Sequence, residues 1–210
     1  MKTPLIVNAP MYGTATAALA VAVTQAGGLG FIVAGFDFTT SSTQLLALEK
    51  ELVHARELLG IEEDEEGRKL PIGIGFLTFH NDDASGLLPL LRRYRPLAVW
   101  LFAPAERQHT RLIESIRRLD DDRPIQVFVQ VGCVRAAVEA VADEADVLVV
   151  QGSDAGGHQF ARNASIISLV PEVADAVSLL KEKEGREITI LAAGGIMDGR
   201  GIAAALALGK

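Results

Sequence analysis

The residue types able to do chemistry gather in one stretch, Gln151-Gly152-Ser153-Asp154-Ala155-Gly156-Gly157-His158, directly after the apolar run 147–150. Apolar strands that release into glycine-rich loops are where α/β proteins place their sites, because the loops at the strands' C-terminal ends line the ligand crevice. Gly156 and Gly157 let backbone N–H groups come close to a ligand with no Cβ in the way. His158 can take or give a proton near neutral pH. A lone histidine in such a loop has two readings, a ring bonded to a backbone carbonyl or a catalytic group. The position after paired glycines at a strand end favours the second. Of the four histidines, only His158 lies in such a motif. His54 falls within a helix, and His80 and His109 lie in or near polar segments. These three read as surface residues, with His80 the nearest to a pocket rim.

A second constellation is Ala192-Ala193-Gly194-Gly195-Ile196, with a helix beginning near Gly199. Backbone N–H groups and the positive helix end would suit a phosphate there. An ordinary tight strand-to-helix turn is the other reading. Asp198 should cap the helix and face away from a phosphate, which its carboxylate would repel. Cys133 begins a helix, where a thiolate would be stabilised. No histidine or acid stands beside it in sequence, so it reads as a packing residue. Gly27-Gly28-Leu29-Gly30 precedes a strand instead of following one, so it is not a dinucleotide fingerprint. No metal-ligand spacing, Walker loop or serine-hydrolase elbow is present.

These loops need strands and helices to hold them. Short apolar runs at 5–7, 29–33, 70–74, 97–102, 125–131, 147–150 and 188–192 read as strands. Between and after them, helical patterns fall at 14–26, 44–59, 85–94, 106–119, 134–142, 168–183 and 199–208. Thr14 and the 39–42 segment offer N-caps. Gly27-Gly28 and Gly60 end the first two helices. Pro89 interrupts the third helix, and Pro171 is tolerated in the first turn of the sixth. Strict alternation gives a parallel sheet. Short, evenly spaced strands favour a (β/α)8 TIM-barrel type, here ending after the seventh βα unit. Such barrels typically take ~250 residues, against 210 here. One domain over residues 1–210, with the eighth strand missing, is the expected organisation. An open barrel would leave two unpaired edges, which a homo-oligomer would cover.

Composition excludes several function classes. Half the residues are apolar (49%) and only 5% aromatic, the profile of an α/β protein with an aliphatic core. A net charge of −7 argues against a nucleic-acid surface. Part of the acid lies in Glu62 to Glu66, read as a solvated loop. No apolar run reaches the roughly 18 residues of a membrane span, and no signal-peptide pattern opens the chain. The single cysteine excludes an internal disulfide and fits a reducing, cytoplasmic compartment.

Four motifs together resemble the nitronate monooxygenase family, FMN-dependent barrel enzymes formerly called 2-nitropropane dioxygenases. They are Ala9-Pro10-Met11, Pro71-Ile72-Gly73-Ile74-Gly75-Phe76, the 151–158 stretch, and 192–196 with Asp198-Gly199-Arg200-Gly201. The resemblance runs in order from about Pro4 to the last residue. The 151–158 motif is specific; the other three are weak alone. The resemblance implies FMN held by Pro10, Met11, Gly75, Gln151, Gly156, Gly157, Gly194 and Gly195, with His158 as the catalytic group and no metal. It implies oxidation of alkyl nitronates or nitroalkanes with O2 to a carbonyl compound and nitrite. Gln151 would meet the flavin ring edge; bonding to neighbouring strand ends is the alternative. Pro10 and Met11 would pack on the flavin face; simple core plugging is the alternative. Two positions depart from the pattern. Asp154 stands where many relatives have Glu, and keeps the charge. Gly75 stands where many have Asn, and leaves only backbone contacts. The missing eighth strand would take part of the family's phosphate grip with it. A flavin-dependent enoyl-thioester reductase using NAD(P)H shares this barrel and a similar motif. A non-catalytic remnant acting through partner contacts is the third reading.

Overall fold

A computed structural model describes residues 4–62, 68–79, 84–104, 108–119, 124–185 and 187–209. His80 and most of the acidic run at 62–66 lie outside these. The chain divides into two compact units, 1–126 and 127–210. Within each, βα steps alternate and strands pair in parallel. This is the α/β architecture of the TIM-barrel class that the alternation predicts.

In the first unit, β1 (Phe31–Gly35) pairs with β2 (Leu70–Leu77), and β2 with β3 (Pro96–Phe102). The expected first strand at 5–7 shrinks to one parallel bridge, Val7 to Leu29. The reason lies at Asn8, whose side-chain amide takes the place of a ladder. Its Nδ2 donates to the Phe31 carbonyl at 2.9 Å, and its Oδ1 accepts from the Phe31 N–H at 3.0 Å. β2 runs three residues beyond expectation, through two glycines that would ordinarily weaken a strand. Aromatic and proline rings fill their places. A Cβ on Gly73 would lie 2.2 Å from the Phe31 ring, and one on Gly75 2.2 Å from Pro10. Phe31 meets Trp100 edge-on at 5.3 Å on the same sheet face. On the other face Phe76 meets Phe38, also edge-on at 5.3 Å.

The helices of this unit are α1 (Ala17–Gln25), α2 (Thr43–Leu58), α3 (Leu87–Tyr94) and α4 (Gln108–Arg117). α2 buries Leu45, Leu48, Leu52 and Ala55 of the stripe its spacing predicts, while Leu59, the fifth member, is its half-buried C-cap; Ser42 caps the other end through its hydroxyl. α1 departs from expectation. Thr14 lies in a turn, and Thr16 occupies the N-cap without a side-chain bond. The cap comes from α2 instead, where the Glu51 carboxylate accepts from the Ala17 N–H at 2.6 Å. An anion at a helix N-terminus satisfies a free donor and the positive end together. Glu51→Ala therefore lowers stability by about 1 kcal/mol, read by urea unfolding; an unchanged midpoint would refute the cap. Pro89 does not interrupt α3. It is the third helical residue, where the N–H has no intrahelical partner to lose.

In the second unit, β4 (Gln126–Val131) pairs with β5 (Val147–Gln151), and β5 with β6 (Thr189–Ala193). β4 and β5 are buried almost throughout, as parallel strands covered on both faces should be. The helices are α5 (Val134–Ala142), α6 (Ile166–Glu184) and α7 (Gly199–Leu208). α6 starts earlier than expected because Ser165 accepts at its carbonyl from Ser168 and Leu169. Pro171 is consequently an interior residue of α6, not a first-turn one. β6 remains partly exposed and α7 buries none of its side chains. No described helix is long and apolar enough to cross a membrane.

Candidate active site

β5 delivers Gln151 as its last residue, and the chain then loops over 152–165 before α6. That loop is closed on itself. The Ser153 N–H donates to the Ala164 carbonyl at 2.9 Å. Asn163 Nδ2 donates to the Gln151 carbonyl at 2.9 Å, and Ser165 Oγ donates to the Asp154 carboxylate at 2.7 Å. The Phe160 ring lies on Gly132, where a Cβ would come within 2.6 Å of it. Two buried amides hold the loop's far side. Gln151 Nε2 donates to the His158 carbonyl at 3.2 Å, and Gln130 Nε2 donates to Gln151 Oε1 at 2.8 Å. The His158 side chain itself is exposed. In front of Gly156 and Gly157 a Cβ would meet nothing within 4 Å. The loop thus presents an open backbone and an imidazole from a braced frame.

The second glycine motif packs on this loop. Gly194 has φ 121°, a conformation that favours glycine. A Cβ there would lie 2.9 Å from the Ala155 nitrogen, and one on Gly195 3.2 Å from Asp154 Cβ. The Gly152 N–H donates to the Ala193 carbonyl at 2.9 Å. Two motifs read separately in the sequence are therefore neighbours. Asp198 caps α7 as expected, accepting from the N–H groups of Arg200 and Gly201. The Arg200 guanidinium and these N–H bonds hold its carboxyl below the usual range. A carboxylate already occupies this helix end. An anion in this unit would meet the backbone of residues 194–196 rather than the α7 terminus.

In the first unit the structure joins Pro10 to Gly75. The proline ring fills the space in front of the glycine, so a larger residue at 75 would displace it. Met11, next in the chain, is 41% exposed. Just past the end of β2, Thr78 is fully buried, and α4 turns its first two residues inward onto it. Gln108 Nε2 donates to the Thr78 carbonyl. Thr78 Oγ1 donates to the Phe102 carbonyl at 2.9 Å. Its one proton is thereby used, so the contact to His109 Nε2 at 3.0 Å has the imidazole N–H donating to the hydroxyl oxygen. His109 is not the surface residue its polar neighbours suggest; it is 3% exposed. Burial pushes its pKa down to about 4, which keeps the ring neutral at pH 7.

Two functional candidates escape a reading of the sequence, the Thr78–His109 pair and Gln130. Gln130 had a signal: it is a polar residue near the end of an otherwise apolar strand, as Gln151 is. No group of three or more potential metal ligands occurs among the described residues.

A family model described as nitronate monooxygenase matches residues 109–210. The chain is 42% identical to a nitronate monooxygenase of Neurospora crassa, over 99% of this chain and 57% of that protein. It therefore spans little more than half of that relative. Among solved structures, a nitroalkane oxidase from Streptomyces ansochromogenes superposes with a TM-score of 0.73 at 25% identity, over 98% of this chain and 63% of the other. FabK from Thermotoga maritima superposes with a TM-score of 0.70 at 27% identity, over 97% and 54%.

Proposed function

We propose, on the premise that this chain belongs to the nitronate monooxygenase family, that it oxidises alkyl nitronates and nitroalkanes with O2 to a carbonyl compound and nitrite on non-covalently bound FMN. The observation that carries the reading is the braced 152–165 loop, with His158 exposed and open space before Gly156 and Gly157. That open backbone, with the glycine pair at 194–195 packed beside it, supports a flavin at this unit's strand ends.

When bound, the flavin supplies the redox chemistry. This chain's residues supply binding, orientation and proton handling. Pro10 and Met11 would pack against the ring system, and Gly75 would offer it backbone only. Gln151, whose amide already bonds Gln130 and the His158 carbonyl, would offer the ring edge its remaining N–H from the end of β5. Gly156 and Gly157 would approach through their N–H groups, and Gly194 and Gly195 would hold the phosphate. His158 would take the α-proton of a neutral nitroalkane on a ring nitrogen, leaving the electron pair on the substrate as its nitronate. With the anion as substrate, the same ring would steady the nitro-group charge. The lone Cys133 supports a cytoplasmic setting.

The test is the visible spectrum of the purified chain after incubation with FMN and desalting, followed by nitrite release from an alkyl nitronate. Retained flavin bands and nitrite are the expected results. NAD(P)H oxidation driven by an enoyl thioester, without nitrite release, would replace this reading with the reductase. A colourless protein that cannot be reconstituted would refute flavin binding by these residues.

A further inference from the structure

The reading above assigns Gln130 nothing, yet Gln130 is 8% exposed and Gln151 7% exposed. Buried side-chain amides are costly unless bonded. These two are bonded to each other and to one atom of the active loop. The His158 carbonyl can only accept, so nitrogen must face it. Gln151 meets it with Nε2 at 3.2 Å and Gln130 with Nε2 at 3.5 Å. With Gln151 Nε2 turned to the loop, its Oε1 is left facing β4. Only an amide nitrogen can satisfy it there, and Gln130 Nε2 does so at 2.8 Å. One acceptor-only carbonyl thus fixes the orientation of both amides.

We infer that Gln130 is the positioning residue of this site. It locks the Gln151 amide in the orientation that grips the His158 carbonyl, and so sets where the imidazole stands. Gln130 projects from β4 beside Val149 of β5, its register partner, so the brace rests on the rigid sheet rather than on the loop. Sites held by rigid elements through a supporting shell of hydrogen bonds keep their geometry to a fraction of an ångström. A loop held by its own bonds alone would open more often. The consequence for turnover rests on the assignment of the chemistry to His158; the consequence for the loop does not.

Two variants test this in the 210-residue chain. Gln130→Met keeps the volume and an unbranched side chain but removes both donors. Gln130→Glu has a donor only while its carboxyl is protonated. Amide hydrogen exchange, read by mass spectrometry with β4 and β5 as internal references, reports the loop directly. In Gln130→Met, protection over 152–160 falls about tenfold relative to the β4–β5 segments. In Gln130→Glu, protection returns as the pH is lowered through the carboxyl's pKa, relative to the unsubstituted chain at each pH. The flavin-loaded Gln130→Met protein loses about tenfold in kcat on a neutral nitroalkane, with KM changed less than about threefold. Unchanged loop protection with unchanged kcat overturns the inference. So does a uniform loss of protection across β4, β5 and the loop, or a Gln130→Glu loop indifferent to pH, since each marks a packing role only. If the variants show the exchange pattern while the unsubstituted chain releases no nitrite, the proposed function fails and the positioning role stands.

Discussion

Replacing His158 by Asn lowers turnover on neutral nitroalkanes by about 10²–10⁴-fold, the usual worth of a general base, and leaves flavin retention unchanged. The structure makes the substitution a sharp one. What anchors position 158 is its backbone carbonyl, held by Gln151 and Gln130, and the side chain takes no part in that anchor. Asn therefore keeps the loop where it is. It can still donate a hydrogen bond to a nitro group but cannot accept the α-proton. The two roles given to the imidazole separate in a paired assay. A preformed nitronate has already lost its proton, so its turnover falls far less than that of the neutral nitroalkane. Equal losses on both substrates would make charge stabilisation the main role. Equal turnover of variant and parent on the neutral substrate would remove His158 from the mechanism.

Acidification destabilises the first unit through His109. Its pKa lies at about 4 in the folded chain, against about 6.5 for the free side chain. The folded state thus resists a proton that the unfolded state accepts. The stabilisation is whole above pH 6.5 and is lost progressively as the pH falls toward 4, where the loss levels off. A gap of about 2.5 pH units corresponds to about 3 kcal/mol, at 1.36 kcal/mol per unit. The cause is burial. His109→Gln removes the titrating group, so the urea-unfolding free energy of the parent should fall relative to that of the variant by about 3 kcal/mol between pH 7.5 and 4. Parallel curves would show that the ring titrates alike in both states. Asp37 and Asp198, held below the usual range by bonds from Thr39 and Arg200 respectively, act lower. They favour the fold above the ordinary carboxylate range and cease to as the pH falls through their folded values. Both residues are present in each protein, so their effect cancels in the comparison.

Much of this was legible in the sequence. Strand and helix alternation is written in runs of apolar residues and their spacing. α5 and α7 begin and end where that spacing places them, and Asp198 marks the start of α7 locally through its side-chain cap. The 151–158 loop was legible because glycines and a histidine at a strand end have few other uses. Misreadings arose wherever a local signal was answered from far along the chain. Thr14 looked like a cap, but Glu51 from α2 supplies it. The 5–7 run looked like a strand, but one Asn8 side chain replaces its ladder.

The sequence by itself determined the order of βα units, most of the helical stripes and the glycine-rich loop that ends in His158, because each depends on neighbours within a few residues. The tertiary structure alone decided which polar side chains are buried and what they hold. His109 meets Thr78, and Gln130 meets Gln151, across separations of 31 and 21 residues. A buried donor is stable only if an acceptor arrives in the right place. No local pattern records that arrival, because packed strands and helices bring the acceptor there.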